Sequence, residues 1–150
     1  MPQEKSAGAI IFRIIDNEPR YLLLHYHSGH WDFSRGHIEE NEDIKKTVVR
    51  EVEEETGIKD LNIIDGFRAN TKFFFKRTRH LKGQAKKDAP WIIKLVTLYV
   101  AETKTEKVTI SSEQKGFGWF VYKDALKRLA PHAKKVFPQA HEFIISTKGL

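Results

Sequence analysis

The chain has 150 residues and no cysteine. That suits one domain with a real core and a reducing compartment, and it excludes a disulfide framework, a thiol nucleophile and a cysteine zinc site. The formal net charge of +6 favours polyanionic partners.

Two β-rich apolar runs, Ser6 to Ile15 and Tyr21 to Tyr26, flank the turn cluster Asp16-Asn17-Glu18-Pro19 and predict a hairpin. A helix is expected next, because Ile44, Val48, Val49 and Val52 recur at helical intervals as a buried aliphatic stripe. Asn41 is the expected N-cap, Asp43 falls in the first turn, and Gly57 suits a left-handed C-cap. Leu61 to Arg77 reads as two strand pieces around Asp65-Gly66, and Trp91 to Glu102 as a strongly apolar strand. Arg79 to Pro90 is the loop between them. Phe117 to Val121 reads as a strand, and Lys123 to Ala130 as a helix through Ala125, Leu126 and Leu129. A last helix is expected through Ala140, Phe143 and Ile144, with Pro138 breaking or beginning it. This order predicts an α/β fold. No apolar run reaches the roughly 18 residues of a membrane span, and MPQEKSAGAIIF holds no apolar h-region. The expectation is a soluble cytoplasmic chain, monomeric or homodimeric, with no membrane partner.

Glu51, Glu54 and Glu55 are related by i+3 and i+4 steps, so their carboxylates share one helix face. The lysines of this helix stop at Lys46, which leaves the three charges to repel one another. Hard divalent cations relieve that repulsion; magnesium binds through a few carboxylates together with substrate phosphates. A plain acidic surface is the competing reading of the cluster taken alone.

The surrounding spacing decides between them. GHIEENEDIKKTVVREVEEETGI places Gly36, Glu42, Arg50, Glu51, Val52, Glu54, Glu55, Gly57 and Ile58 in the pattern Gly-x5-Glu-x7-Arg-Glu-U-x-Glu-Glu-x-Gly-U, where U is aliphatic. Its fixed identities match by chance on the order of once in 10^8 registers. The chain resembles the Nudix hydrolases, which hydrolyse a nucleoside diphosphate linked to another moiety. The resemblance implies the Nudix fold, a mixed central β-sheet sandwiched between α-helices, as a single domain covering residues 1–150. It makes Glu51, Glu54 and Glu55, with the Gly36 carbonyl, holders of Mg2+, with Mn2+ as the alternative ion. Arg50 then orients the glutamates by a salt bridge.

The segment His30-Trp31-Asp32-Phe33-Ser34-Arg35-Gly36-His37-Ile38-Glu39 resembles the approach to the box in asymmetrical diadenosine tetraphosphate hydrolases, Trp-x-x-Pro-Lys-Gly-His-Val/Ile-Glu. Ser34 replaces the proline, and Arg35 replaces the lysine while keeping its charge and adding a phosphate fork. Glu113 to Phe120 resembles the same branch's Glu-His-Gln-Ala-Tyr-x-Trp-Leu. On that resemblance Glu113 is a further metal ligand or base, and Phe117 stacks on adenine. Arg35, His37 and Lys94 cradle phosphates, with His30 at the same approach. Phe73 occupies the region of a family tyrosine, without the hydroxyl. Core packing is the competing reading for Phe117, Trp31 and Trp119, and an exposed, snorkelling side chain for Lys94. Water attacks phosphorus, and Glu55 or Glu54, then Glu113, are the candidates to take its proton. The implied substrate is a dinucleoside polyphosphate, with diadenosine tetraphosphate giving ATP and AMP.

Lys76, Arg77, Arg79, Lys82, Lys86, Lys87 and Lys94 crowd one stretch against a single acid, Asp88. Such a field attracts polyphosphate, and a solvated lysine-rich loop is the competing reading. The rival functions are an RNA 5′-pyrophosphohydrolase with an RNA 5′ end as partner, an ADP-ribose or dNTP hydrolase, and a nucleotide sensor without turnover.

Overall fold

Every residue from Ser6 to Phe12 is buried, and the sheet is assembled around them. A computed structural model describes all 150 residues. The elements are β1 (Gln3–Ile15), β2 (Glu18–Tyr26), β3 (Trp31–Asp32), β4 (Ser34–His37), α1 (Ile44–Thr56), β5 (Asn62–Phe75), α2 (Gly83–Asp88), β6 (Ile92–Glu102), β7 (Gln114–Val121), α3 (Tyr122–Arg128) and α4 (Pro131–Lys148). β1 pairs with β6 in parallel along its length. Its other edge is shared: the first half pairs with β4 and the second with β2, both antiparallel. β5 closes one side on β6, and β3 and β7 flank β2.

Strand alternation sends the sheet's side chains into two cores. Ile10, Phe12, Tyr21, Leu23 and Val96 face Val136, Phe137, Ala140 and Ile144 of α4. Ala7, Ala9, Ile11, Leu22 and Leu24 face Val48 and Val52 of α1. The result is the mixed sheet between helices that the sequence predicts. No helix is long and apolar enough to cross a membrane.

Several local expectations need correction. Asp43, not Asn41, caps α1, and its carboxylate accepts from the Lys46 N–H. Asn41 sits two residues before that cap, in the left-handed region at φ 62°. Val49 is exposed; the stripe is narrower than predicted, and Val48 and Val52 carry it. The two strand pieces around Asp65-Gly66 are one strand, kinked where the register slips between Ile63 and Arg68. The 79–90 loop contains α2. Pro131 begins α4, and Pro138 lies inside it. The helix tolerates the lost backbone donor because Phe137 and Ala140 anchor both sides of the proline in the core.

Gly8 marks where β1 and β4 come closest. A Cβ there would lie 2.2 Å from the Ser34 carbonyl oxygen and 2.6 Å from the Arg35 Cβ, both fixed by the ladder. At Gly116 the nearest atom to an added Cβ is 3.8 Å away. Gly8→Ala is therefore expected to destabilise the fold by about 3 kcal/mol, and Gly116→Ala by less than about 1 kcal/mol. Urea midpoints of the two variants check this; equal midpoints would show that β4 yields freely.

Candidate active site

Burial of Val48 and Val52 orients α1 so that Glu51 and Glu55 point back at the sheet, while Glu54 points to solvent. Glu51 lies against β4 at Gly36. A Cβ built on Gly36 would stand 1.9 Å from the Glu51 carboxyl carbon, so only glycine lets this backbone pass.

Arg50 gathers the acids on the open side. Its Nε donates to Glu42 at 2.8 Å and its Nη2 to the other Glu42 oxygen at 2.9 Å. Its Nη1 reaches Glu51 at 2.8 Å and Glu54 at 3.3 Å, and Nη2 also donates to the His37 carbonyl at 3.1 Å. The Arg50 hydrogen bonds, then that from Thr47, hold the Glu42 carboxyl down at about 2. One guanidinium thus ties the loop before α1 to the helix face.

Glu55 is only 4% exposed. Ser34 Oγ and the Arg35 N–H donate to one carboxylate oxygen at 2.8 and 2.9 Å. Gln114 Nε2 and the Tyr26 hydroxyl donate to the other at 2.8 and 3.3 Å. Burial nonetheless pushes the carboxyl up to about 7; the charges of Glu113 and Glu51 add to the rise, against the Ser34 and Arg35 hydrogen bonds. Burial also raises Glu51, which Arg50 opposes and the charges of Glu54 and Glu113 reinforce. No three of these acids converge tightly enough to cage an ion in this arrangement.

A cationic wall stands beyond them. Lys94 is buried, so it is not a snorkelling surface residue. It pairs in the ladder with Glu4 of β1 and Phe73 of β5, and its Nζ lies 3.4 Å from Ser6 Oγ. Burial depresses its pKa, against the pull of Glu4. His37 is depressed too, by burial and then by the Lys94 charge. Glu113 joins the two sides, since its charge acts on Glu51 and Glu55 and also on His37 and Lys94.

Arg35 is held by Asp32, its Nη2 at 3.1 Å from the carboxylate. His132, from the first turn of α4, lies 2.7 Å from the same oxygen. Burial raises the Asp32 carboxyl, but the His132 hydrogen bond and the Arg35 charge outweigh it and hold the group below its ordinary value. The Phe73 ring stacks on His132 at 4.4 Å between centroids, and the Arg35 guanidinium lies 5.4 Å from its centre.

His30, Arg35 and Glu113 come together with Tyr26 and Arg79 around a cleft of about 760 Å³, where His30 stacks on Tyr26. Phe117 does not join Phe73. It is 40% exposed, outside the core, and sits on β7 opposite Leu24 of the α1-side core, with β2, β1 and β6 between it and β5. Trp31 and Trp119 pack partly buried against the two cores. Sequence reasoning missed Tyr26, Asp32, Ser34, Gln114 and His132 as site partners. The first four lie in or beside the segments already singled out. His132 gives no local signal, because only the fold brings α4 to Asp32.

A model of the NUDIX domain matches residues 4–140. The chain is 31% identical to the Mus musculus protein named bis(5′-nucleosyl)-tetraphosphatase (asymmetrical), over 95% of this chain and 97% of that one. It is 27% identical to the Caenorhabditis elegans protein of the same name, over 82% and 83%. A crystal structure of a C. elegans Ap4A hydrolase binary complex shares the fold at TM-score 0.76 and 23% identity, over 95% of this chain and 98% of that one.

The raised Glu55 carboxyl fixes the sign of a pH effect. An ordinary glutamate releases its proton near 4.5, and Glu55 in the folded chain near 7. Below about 4.5 both states keep the proton and the full stability is present. Between about 4.5 and 7 the unfolded state releases first, so stability falls by on the order of 3 kcal/mol and then levels. Urea midpoints of metal-free protein at about pH 5 and pH 8 are expected to drop less for Glu55→Gln than for the parent. Identical pH dependence in both chains would mean that Glu55 does not carry the effect.

Proposed function

The chain belongs to the Nudix hydrolase family, and we propose that this member hydrolyses a dinucleoside polyphosphate, with diadenosine tetraphosphate as substrate and ATP and AMP as products. The observation that carries this reading is the cleft of about 760 Å³ where Glu113 meets Arg35 and Arg79, beside the Arg35 N–H that donates to the buried Glu55. A polyphosphate laid there meets carboxylates as well as cations. Relatives named as asymmetrical tetraphosphatases over nearly the whole chain support the same choice.

The acidic side suits a hard divalent cation. Its donors are all oxygens, Gly36 keeps the backbone open beside Glu51, and the buried Glu55 has only neutral donors around its charge. We assign Mg2+, with Mn2+ as the alternative, to Glu51, Glu55 and the Gly36 carbonyl, completed by Glu113, with Glu54 at the edge of the group. When bound, the cation neutralises phosphate oxygens and acidifies the attacking water.

The chain's own residues divide the remaining work. Glu55 is fixed by its donors and acts as an anchor. Glu54 is 58% exposed at its side chain and touched only by Arg50, so it is the carboxylate that a water beside the substrate reaches. We assign it the proton of that water, with Glu113 as the second choice. Arg50 holds Glu51 and Glu54 in register. Arg35 and Lys94 take the phosphates remote from the cleaved bond, Arg35 with a geometry set by Asp32. His30 and Phe73 border the nucleotide.

The test is product analysis with Mg2+ on diadenosine tetraphosphate, ADP-ribose, dGTP and 5′-triphosphorylated RNA. ATP plus AMP from the dinucleotide, at a kcat/KM above the others, is expected; pyrophosphate released preferentially from RNA would overturn the substrate. The two glutamates separate in kind. Glu54→Gln is expected to lower kcat on the order of 10^2- to 10^4-fold with Mn2+ affinity kept, whereas Glu55→Gln weakens Mn2+ binding measured by calorimetry. Near-normal turnover by both variants would refute the mechanism.

A further inference from the structure

The sheet face that α1 covers is covered only in part. Towards the ends where β5 leaves and β6 begins, alternate side chains on this face lie open. Two are large aromatics: Phe74 is 52% exposed and Trp91 is 53% exposed. Phe74 stands opposite Ile93, and just past the last pair of the ladder, Phe75 with Ile92, the Lys76 Nζ lies 4.8 Å from the Trp91 ring centre. Arg68 and Lys72 alternate with Phe74 on β5, and Lys5 reaches the same face from β1 through its pairing with Leu95.

None of Lys5, Arg68, Lys72 and Lys76 forms a salt bridge. The neighbouring acid Glu4 points to the opposite face, where Arg77 holds it. The patch is therefore two exposed rings, one on β5 and one just before β6, set among four cations without counter-ions.

This combination selects its occupant. A second copy of the chain would bring like charges together. A duplex keeps its bases stacked and offers only phosphates to the cations. A single strand supplies both parts at once, unstacked bases for the rings and phosphates for the cations. We propose that this face binds single-stranded nucleic acid, with bases stacked on Phe74 and Trp91 and the backbone tracked by Lys5, Arg68, Lys72 and Lys76. The site is distinct from the carboxylates of α1 and does not depend on the hydrolytic assignment.

The test uses the full chain without added metal and a short, fluorescently labelled single-stranded RNA with a 5′-hydroxyl end, which offers no pyrophosphate to cleave. Binding by anisotropy is expected, with quenching of tryptophan emission. Log Kd against log salt is expected to have a slope of about 3 in magnitude for four phosphates neutralised. Phe74→Ala and Trp91→Ala are each expected to weaken binding about 5- to 100-fold, with unchanged circular dichroism melts and unchanged dinucleotide hydrolysis. Lys72→Gln should lower the slope by about 0.7. No binding at low salt, affinity indifferent to both aromatic substitutions, or equal affinity for duplex would overturn the proposal. So would sedimentation showing a dimer that Trp91→Ala dissolves while RNA stays unbound.

Discussion

One buried charge organises this molecule. Glu55 lies between α1 and the sheet, and the groups that meet it come from β2, β4 and the start of β7. All are neutral donors. They satisfy the lone pairs but do not cancel the charge, and an unpaired carboxylate in a dry interior costs several kcal/mol. Proton uptake near neutral pH is one escape, and its raised pKa reflects that. A divalent cation is the other, and it leaves the carboxylate ionised. The hydrogen bonds that position Glu55 therefore also prepare it to prefer a cation.

Two arginines divide the surrounding electrostatics without sharing a partner. Arg50 serves Glu42, Glu51 and Glu54 on the box helix. Arg35 serves Asp32, and through Asp32 it is coupled to His132 at the start of α4. Neither guanidinium reaches Glu55, whose only contact with Arg35 is the backbone N–H. Cancelling Glu55 with an arginine would remove the uncompensated charge that makes a cation favourable beside it. Placing the arginines one shell out pairs them with the neighbouring acids and leaves the central charge available.

The box was legible because its chemistry is local. Helical spacing puts Glu51, Glu54 and Glu55 on one turn, and no tertiary knowledge is needed to see it. The hairpin, the box helix and the apolar strand β6 were legible for the same reason. Detail failed where a long-range contact decides. Asn41 looked like a cap, but the chain entering from β4 reaches the helix two residues later, so Asp43 takes the position. Pro138 looked like a break because a lone helix would break there; packing of α4 on β5 and the core carries it through. Lys94 read as an exposed lysine had its strand been an edge, and the pairing of β6 between β1 and β5 buries it. His132 was invisible because its partner Asp32 lies a hundred residues earlier.

The sheet separates two kinds of cationic surface by strand alternation alone. On β6, Lys94 faces the α4 side, where burial depresses its pKa and Glu4 steadies its charge. The neighbouring residues Ile93 and Leu95 face the α1 side, among open lysines and aromatics. A desolvated lysine suits a compact polyphosphate, because each cation acts strongly at short range in a dry site. Solvated lysines spread along a strand suit an extended polymer, where affinity comes from many weak contacts and falls with salt. The same net positive charge thus acts in two regimes, and the period-2 geometry of one strand assigns each residue to its side. A shift of one residue in the pairing of β6 would turn Lys94 to the α1 side and bring Ile93 or Leu95 to its place, so the parallel register with β1 fixes which of the two surfaces each residue joins.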